Sequence, residues 1–91
     1  AVMGRLLDLD PGVQALAARH SGALPPTVKA TLVPLLKGLL VSTSFRVRYE
    51  AALALRKHGD RSGLATMQAD AKSPNAAQAA MATLAAATVK A

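Results

Sequence analysis

The sequence has no cysteine and no tryptophan, and it carries a single phenylalanine and a single tyrosine, Phe45 and Tyr49. Without cysteine, disulfides, thiolate metal sites and cysteine nucleophiles are excluded, while the redox compartment stays open. With so few rings, and with 52% hydrophobic residues supplied largely by alanine, the core has to be built from small side chains. Such a core suits closely approaching helices. Acids are scarce too: five stand against eleven lysines and arginines, for a net charge of +6. That excess favours acidic proteins, nucleic acid or anionic headgroups as partners and carries no information about fold. The longest apolar stretch, residues 32–41, is broken by Pro34, Lys37 and Gly38 and is too short to span a bilayer, so no membrane association is expected. The opening "AVMGRLLDLD" has no long apolar centre and soon turns acidic, unlike a signal peptide. A cytoplasmic setting is the expectation, and the initial Ala1 suggests an excised piece of a longer chain.

What is present favours helix. Alanine, leucine, lysine, arginine and glutamine dominate, and the β-branched residues never alternate over a useful length. The 91 residues are read as one all-α domain spanning 1–91. Asp10-Pro11-Gly12, Pro25-Pro26, Ser42-Thr43-Ser44, Gly59-Asp60, Gly63 and Ser73-Pro74-Asn75 divide the chain into short helical segments. The predicted helices cover roughly 2–8, 12–22, 27–41, 45–58, 62–71 and 75–90, or about three pairs joined by short connectors that imply antiparallel neighbours. Asp10 and Ser44 suit the cap position, Ser73-Pro74 repeats the Asp10-Pro11 arrangement, and Gly59 suits a helix end.

Those caps suggest an internal repeat, with 34 residues from Asp10 to Ser44 and 29 from Ser44 to Ser73. Aligned on Val13, Val47 and Ala77, each unit continues after three variable positions with two apolar residues, namely Ala17-Ala18, Ala51-Ala52 and Met81-Ala82. Helix pairs recurring at about this period are the pattern of an α-solenoid.

Residues 32–60, "LVPLLKGLLVSTSFRVRYEAALALRKHGD", carry a leucine-rich first helix with an internal proline, a short turn, and a second helix reading V-R-x-x-A-A-x-A-L that ends in G-D. This segment resembles a HEAT repeat, including the branch similar to phycobilisome-lyase-type repeats. Pro34, Val47, Arg48, Ala51, Ala52, Leu55, Gly59 and Asp60 fall where that pattern has them. The first and last units have Gln14 and Gln78 in place of the pattern's arginine, and the turn has Ser44 where the family often has an aspartate facing it. The resemblance implies helix pairs stacked as a short right-handed, HEAT/armadillo-like α-solenoid. It further implies a scaffold or protein-binding module whose second helices line a concave face. Independently of the family, Pro34 inside a helix is expected to bend its axis.

On a helical wheel with Val47 at zero, Val47, Ala51, Ala54, Leu55 and His58 fall within an arc from about 340° to 80°. Arg46, Tyr49, Leu53, Glu50, Arg56 and Lys57 occupy about 180° to 300°. The first arc reads as packing surface. On the second, Arg46, Tyr49, Glu50, Arg56 and Lys57 form the candidate partner-binding ridge, with Arg46 and Glu50 spaced as an i, i+4 ion pair. Arg48, near 100°, is assigned to bonding turn carbonyls or carboxylates between repeats. His58 is placed on the buried arc near a helix end.

Chemistry-bearing residues are otherwise few. His20 and His58 occupy different positions in their units, Asp8 and Asp10 read as a helix end and a cap, and no phosphate loop or nucleophile elbow is present. The chain is expected to be no enzyme and to hold no metal or cofactor. A protein partner, acidic in character, is the first expectation; a nucleic acid on the basic ridge is the second, and a bilin lyase activity, suggested by the repeat subtype, the third. The alanine-rich tail "NAAQAAMATLAAATVKA" is nearly uncharged, so it is expected to be covered within the fold, by a further repeat, or by a second copy in a homodimer.

Overall fold

The computed structural model describes residues 10–91; the helix expected over 2–8 lies outside them. Each described helix starts and stops for a local reason. Asp10 accepts a hydrogen bond from the Gly12 N–H at 2.8 Å, and Pro11 occupies the first position of α1, Pro11–Ser21. The prolines at 25 and 26 then set a short 3-10 turn, Pro26–Val28. Val28, with ψ near 3°, separates this turn from α2, Lys29–Leu39. The single helix expected over 27–41 is thus shorter, and its Pro34 lies on the exposed side.

Ser44 caps α3, Phe45–Lys57, through a long 3.5 Å bond from the Val47 N–H. The helix ends as its glycine predicts: Gly59 has φ +80°, its N–H bonds the Arg56 carbonyl at 2.9 Å, and the Asp60 N–H reaches back to Leu55 at 2.9 Å. Those two bonds form the Schellman closure that requires a left-handed residue. Two further helices follow, α4 over Gly63–Asp70 and α5 over Ala76–Lys90. The described residues contain no strand.

The start of α5 corrects the expected cap. Asn75, not Ser73, accepts from the helix, taking the Gln78 N–H at 3.1 Å on Oδ1. The Ser73 hydroxyl instead accepts from the Asn75 N–H at 3.1 Å and lies 3.3 Å from Gln78 Oε1. Proline therefore precedes this cap rather than following it. The expected repeat register would shift accordingly: counted from the observed caps, Ala17, Ala51 and Ala82 would correspond, and all three are buried. The same count places Gln14 and Ala79, rather than Gln14 and Gln78, opposite Arg48.

Every other described helix packs against α3. On one side Val47, Ala51, Ala54 and Leu55 meet Ala15, Ala17 and Ala18 of α1 and Leu32, Leu36 and Leu39 of α2. On the other, Phe45 and Ala52 meet Met67 of α4 and Ala82 and Ala85 of α5. Large side chains such as Leu32, Leu36, Leu55 and Met67 are fully buried, each contributing about 1.5–3 kcal/mol over its exposed state. The alanines contribute less area but allow close approach. At Gly63 the approach is closest, since a Cβ there would lie 2.5 Å from the Cβ of Ala52.

The helix directions follow from the end contacts. The N-terminal parts of α1 and α3 share a depression lined by Gly12, Leu16, Arg46 and Glu50, while Ser21 and His58 meet at their far ends. Thus α1 and α3 run the same way. Helix α4 runs back along α3, its first residue against Ala52 and its last, Asp70, bonded to Arg48.

Candidate functional site

The residues of the expected ridge do gather on one surface, but they form the floor of a groove. Central to it is a depression of about 350 Å³ lined by Arg46, Tyr49, Glu50, Leu53 and Lys57 of α3, with Arg19 of α1 on one side and Met81 of α5 on the other. It continues past Leu16 towards the start of α1, and past Arg56, Leu84 and Thr88 along α5. The helices α1, α3 and α5 therefore share one face. They cover the segments that the sequence pattern marks as second helices of its pairs, the ones expected to line a binding surface.

Glu50 departs from its predicted place. It is only 7% exposed, lying at the edge of the packed arc and not on an open ridge. Its Oε2 accepts a hydrogen bond from Arg46 Nε at 3.2 Å, the i, i+4 pair read from the spacing. The surrounding helices extend burial around α3 to Phe45 and Ala52 as well, so that apart from the partly exposed Arg48 only a strip through Arg46, Tyr49, Leu53, Arg56 and Lys57 keeps contact with solvent. Tyr49 packs its ring against Phe45, with centroids 5.8 Å apart.

The charge of the groove is one-sided. Among the described residues, the ion pairs join Lys37 to Asp60, Arg46 to Glu50 and Arg48 to Asp70. Arg19, Arg56 and Lys57 form no ion pair among those residues, Glu50 being held by Arg46, and the buried Nε of Arg56 makes no hydrogen bond. Arg19 was not singled out from the sequence. It lies on a different helix, and only the packing of α1 against α3 brings it beside Arg46. Leu16 and Leu84, 55% and 71% exposed, were missed for the same reason.

Arg48 and His58 turn away from the groove, as their wheel positions predict. Arg48 bonds the Ser42 carbonyl at 2.8 Å and both carboxylate oxygens of Asp70, at 2.9 and 3.0 Å. His58 is buried and lies 2.9 Å from the Ser21 carbonyl through Nε2. A carbonyl only accepts, so Nε2 carries the proton. His20 is exposed and distinct from it in position. No three histidines, aspartates or glutamates among the described residues gather as a metal site, and no described helix is long and apolar enough to cross a membrane.

Comparison of the chain with protein-family models, with curated proteins and with solved structures finds no match.

Proposed function

We propose that the chain is a non-catalytic interaction module, built of helix pairs stacked as a short right-handed solenoid of HEAT-like type, that binds an acidic protein partner across the face shared by α1, α3 and α5. The observation carrying this reading is the groove itself. Three helices contribute to it, and Arg19, Arg56 and Lys57 form no ion pair among the described residues, so the groove keeps an excess of positive charge. A cationic channel with low-dielectric walls attracts anionic groups and speeds their encounter. The parallel course of α1 and α3 supports stacked pairs, since each second helix of such a stack repeats the direction of the one before.

Oligoglutamate of about 20 residues, long enough to follow the groove, is a direct probe of this surface. The double substitution Arg56→Glu and Lys57→Glu should abolish its binding, while Lys29→Glu with Lys72→Glu, an equal change of charge at exposed positions outside the groove, leaves most of it. Equal losses from both variants would place the attraction in the net charge and not in the groove.

Nucleic acid is the second reading, favoured by the net charge of +6 and by a tyrosine ring among cations. Binding of an oligonucleotide should then fall steeply with salt, as counterions are released along the backbone. A shallow salt dependence, or no affinity, would reject it.

A further inference from the structure

Resting on the acidic-protein reading, we infer that the groove's occupant is an amphipathic α-helix, lying along α3 with carboxylates towards Arg19 and Lys57 and leucine-like side chains against Leu16 and Leu84. Three features of the surface select this occupant. The first is composition across the groove: cations occupy the floor, and exposed leucines stand on the two flanking helices, Leu16 on α1 and Leu84 on α5. An acidic chain of uniform polarity would satisfy the cations and leave both leucines in water. A helix with alternating acidic and apolar faces covers both.

The second feature is the wall. It consists of helices only, whose backbone groups are already engaged, and the described residues contain no strand edge. An extended segment docked here would find no backbone partners for its own N–H and C=O groups, whereas a helix satisfies them internally before it binds. The third is size. From Arg46 to Lys57 the groove runs about 16 Å along α3, or about three turns of an occupant helix. Neighbouring helices pack about 8–10 Å apart, so α1 and α5 stand on either side of α3 at a separation that admits one helix above it. Nucleic acid fits this surface less well, because Tyr49 is its one aromatic residue and its ring already packs on Phe45.

Two peptides of about 16 residues and identical composition test the inference, one with its leucines at helical spacing between glutamates and one shuffled so that they spread around the helix. Amide NMR titration of the protein should show the patterned peptide binding at least about tenfold more tightly, with shifts on α1, α3 and α5 together. The substitutions Leu16→Gln and Leu84→Gln change exposed positions without changing charge. They should remove that preference and leave the affinity of the shuffled peptide within about twofold. Equal affinity for the two peptides would overturn the helical occupant while leaving the acidic-protein reading in place. Preference for an oligothymidylate of similar length over both peptides, or failure of both to bind, would overturn that reading and the inference with it.

Discussion

Arg48 holds Asp70 with two parallel hydrogen bonds, at 3.0 and 2.9 Å, across 22 residues of sequence, and uses its remaining Nη1 to bond the Ser42 carbonyl. One side chain thereby fixes the turn before α3 and the end of α4. Its guanidinium also lies 5.8 Å from the centre of the Phe45 ring. The planar fork matches the carboxylate, and both partners are largely shielded from water, at 21% and 16% side-chain exposure. Replacing Arg48 with alanine should cost about 1.5–3 kcal/mol, because Asp70 loses a charged partner in a half-buried setting. Lysine should recover only part of this loss, since it keeps the charge and not the fork. Thermal melts of the three proteins check the order; an alanine variant as stable as the parent would show that the pair contributes nothing.

Two glycines should respond in opposite directions to alanine. At Gly63 the new Cβ would meet the Ala52 Cβ at 2.5 Å and its Cα at 2.7 Å, so α3 and α4 would have to separate. Overpacking of this kind costs about 1–3 kcal/mol. At Gly38, inside α2, nothing lies within 4 Å of the added atom. Alanine there should stabilise by about 0.5–1 kcal/mol through helix propensity and a less disordered unfolded chain. For a domain of this size each kcal/mol moves the melting temperature by about 4–8 °C, so a single melting series separates the two cases.

The cap of α5 is equally open to test. Asn75→Ala should cost about 1 kcal/mol, since the Gln78 N–H loses its partner. Ser73→Ala should cost less, because the Ser73 hydroxyl bonds the cap residue's own N–H and the Gln78 side chain and leaves the helix N–H groups to Asn75. The reverse order in chemical denaturation would move the cap back to Ser73.

Acid should destabilise the fold in part through Asp60. Burial opposes ionisation of its carboxylate, but bonds from the Ser62 side chain and N–H, together with the Lys37 ammonium, outweigh that penalty and hold its pKa below the ordinary aspartate value. The folded value lies below the unfolded one. Its contribution is therefore complete above the unfolded aspartate value, about 3.9, and is lost as pH falls through the folded value. Melting temperature measured against pH should fall less steeply in this acid window for Asp60→Asn than for the parent. Parallel curves would mean that Asp60 contributes no acid sensitivity.

Several features of the fold were legible before any tertiary contact was known, because they depend on groups within one or two helical turns of each other. The caps at Asp10 and Ser44, the left-handed closure at Gly59, the Arg46–Glu50 pair and the inward turn of Val47, Ala51 and Leu55 are all of this kind. The third cap was not legible. Ser73 and Asn75 have similar local chemistry two residues apart, and sequence alone does not rank them.

The candidate site divides in the same way. Helical periodicity placed Arg46, Tyr49, Arg56 and Lys57 on one side of α3, but it could not show that Glu50 is covered, since that depends on how neighbouring helices widen the packed arc. Nor could it supply Arg19, Leu16 or Leu84, which reach the groove from helices well separated along the chain. By itself, the sequence determined that this protein is helical, and that α3 packs through the arc of Val47, Ala51 and Leu55 while Arg46, Tyr49, Arg56 and Lys57 lie on its other side. Only the tertiary structure decided that those charges line a groove with apolar edges, and that Arg48 closes on Asp70, because both depend on the relative placement of helices and not on the spacing within any one of them.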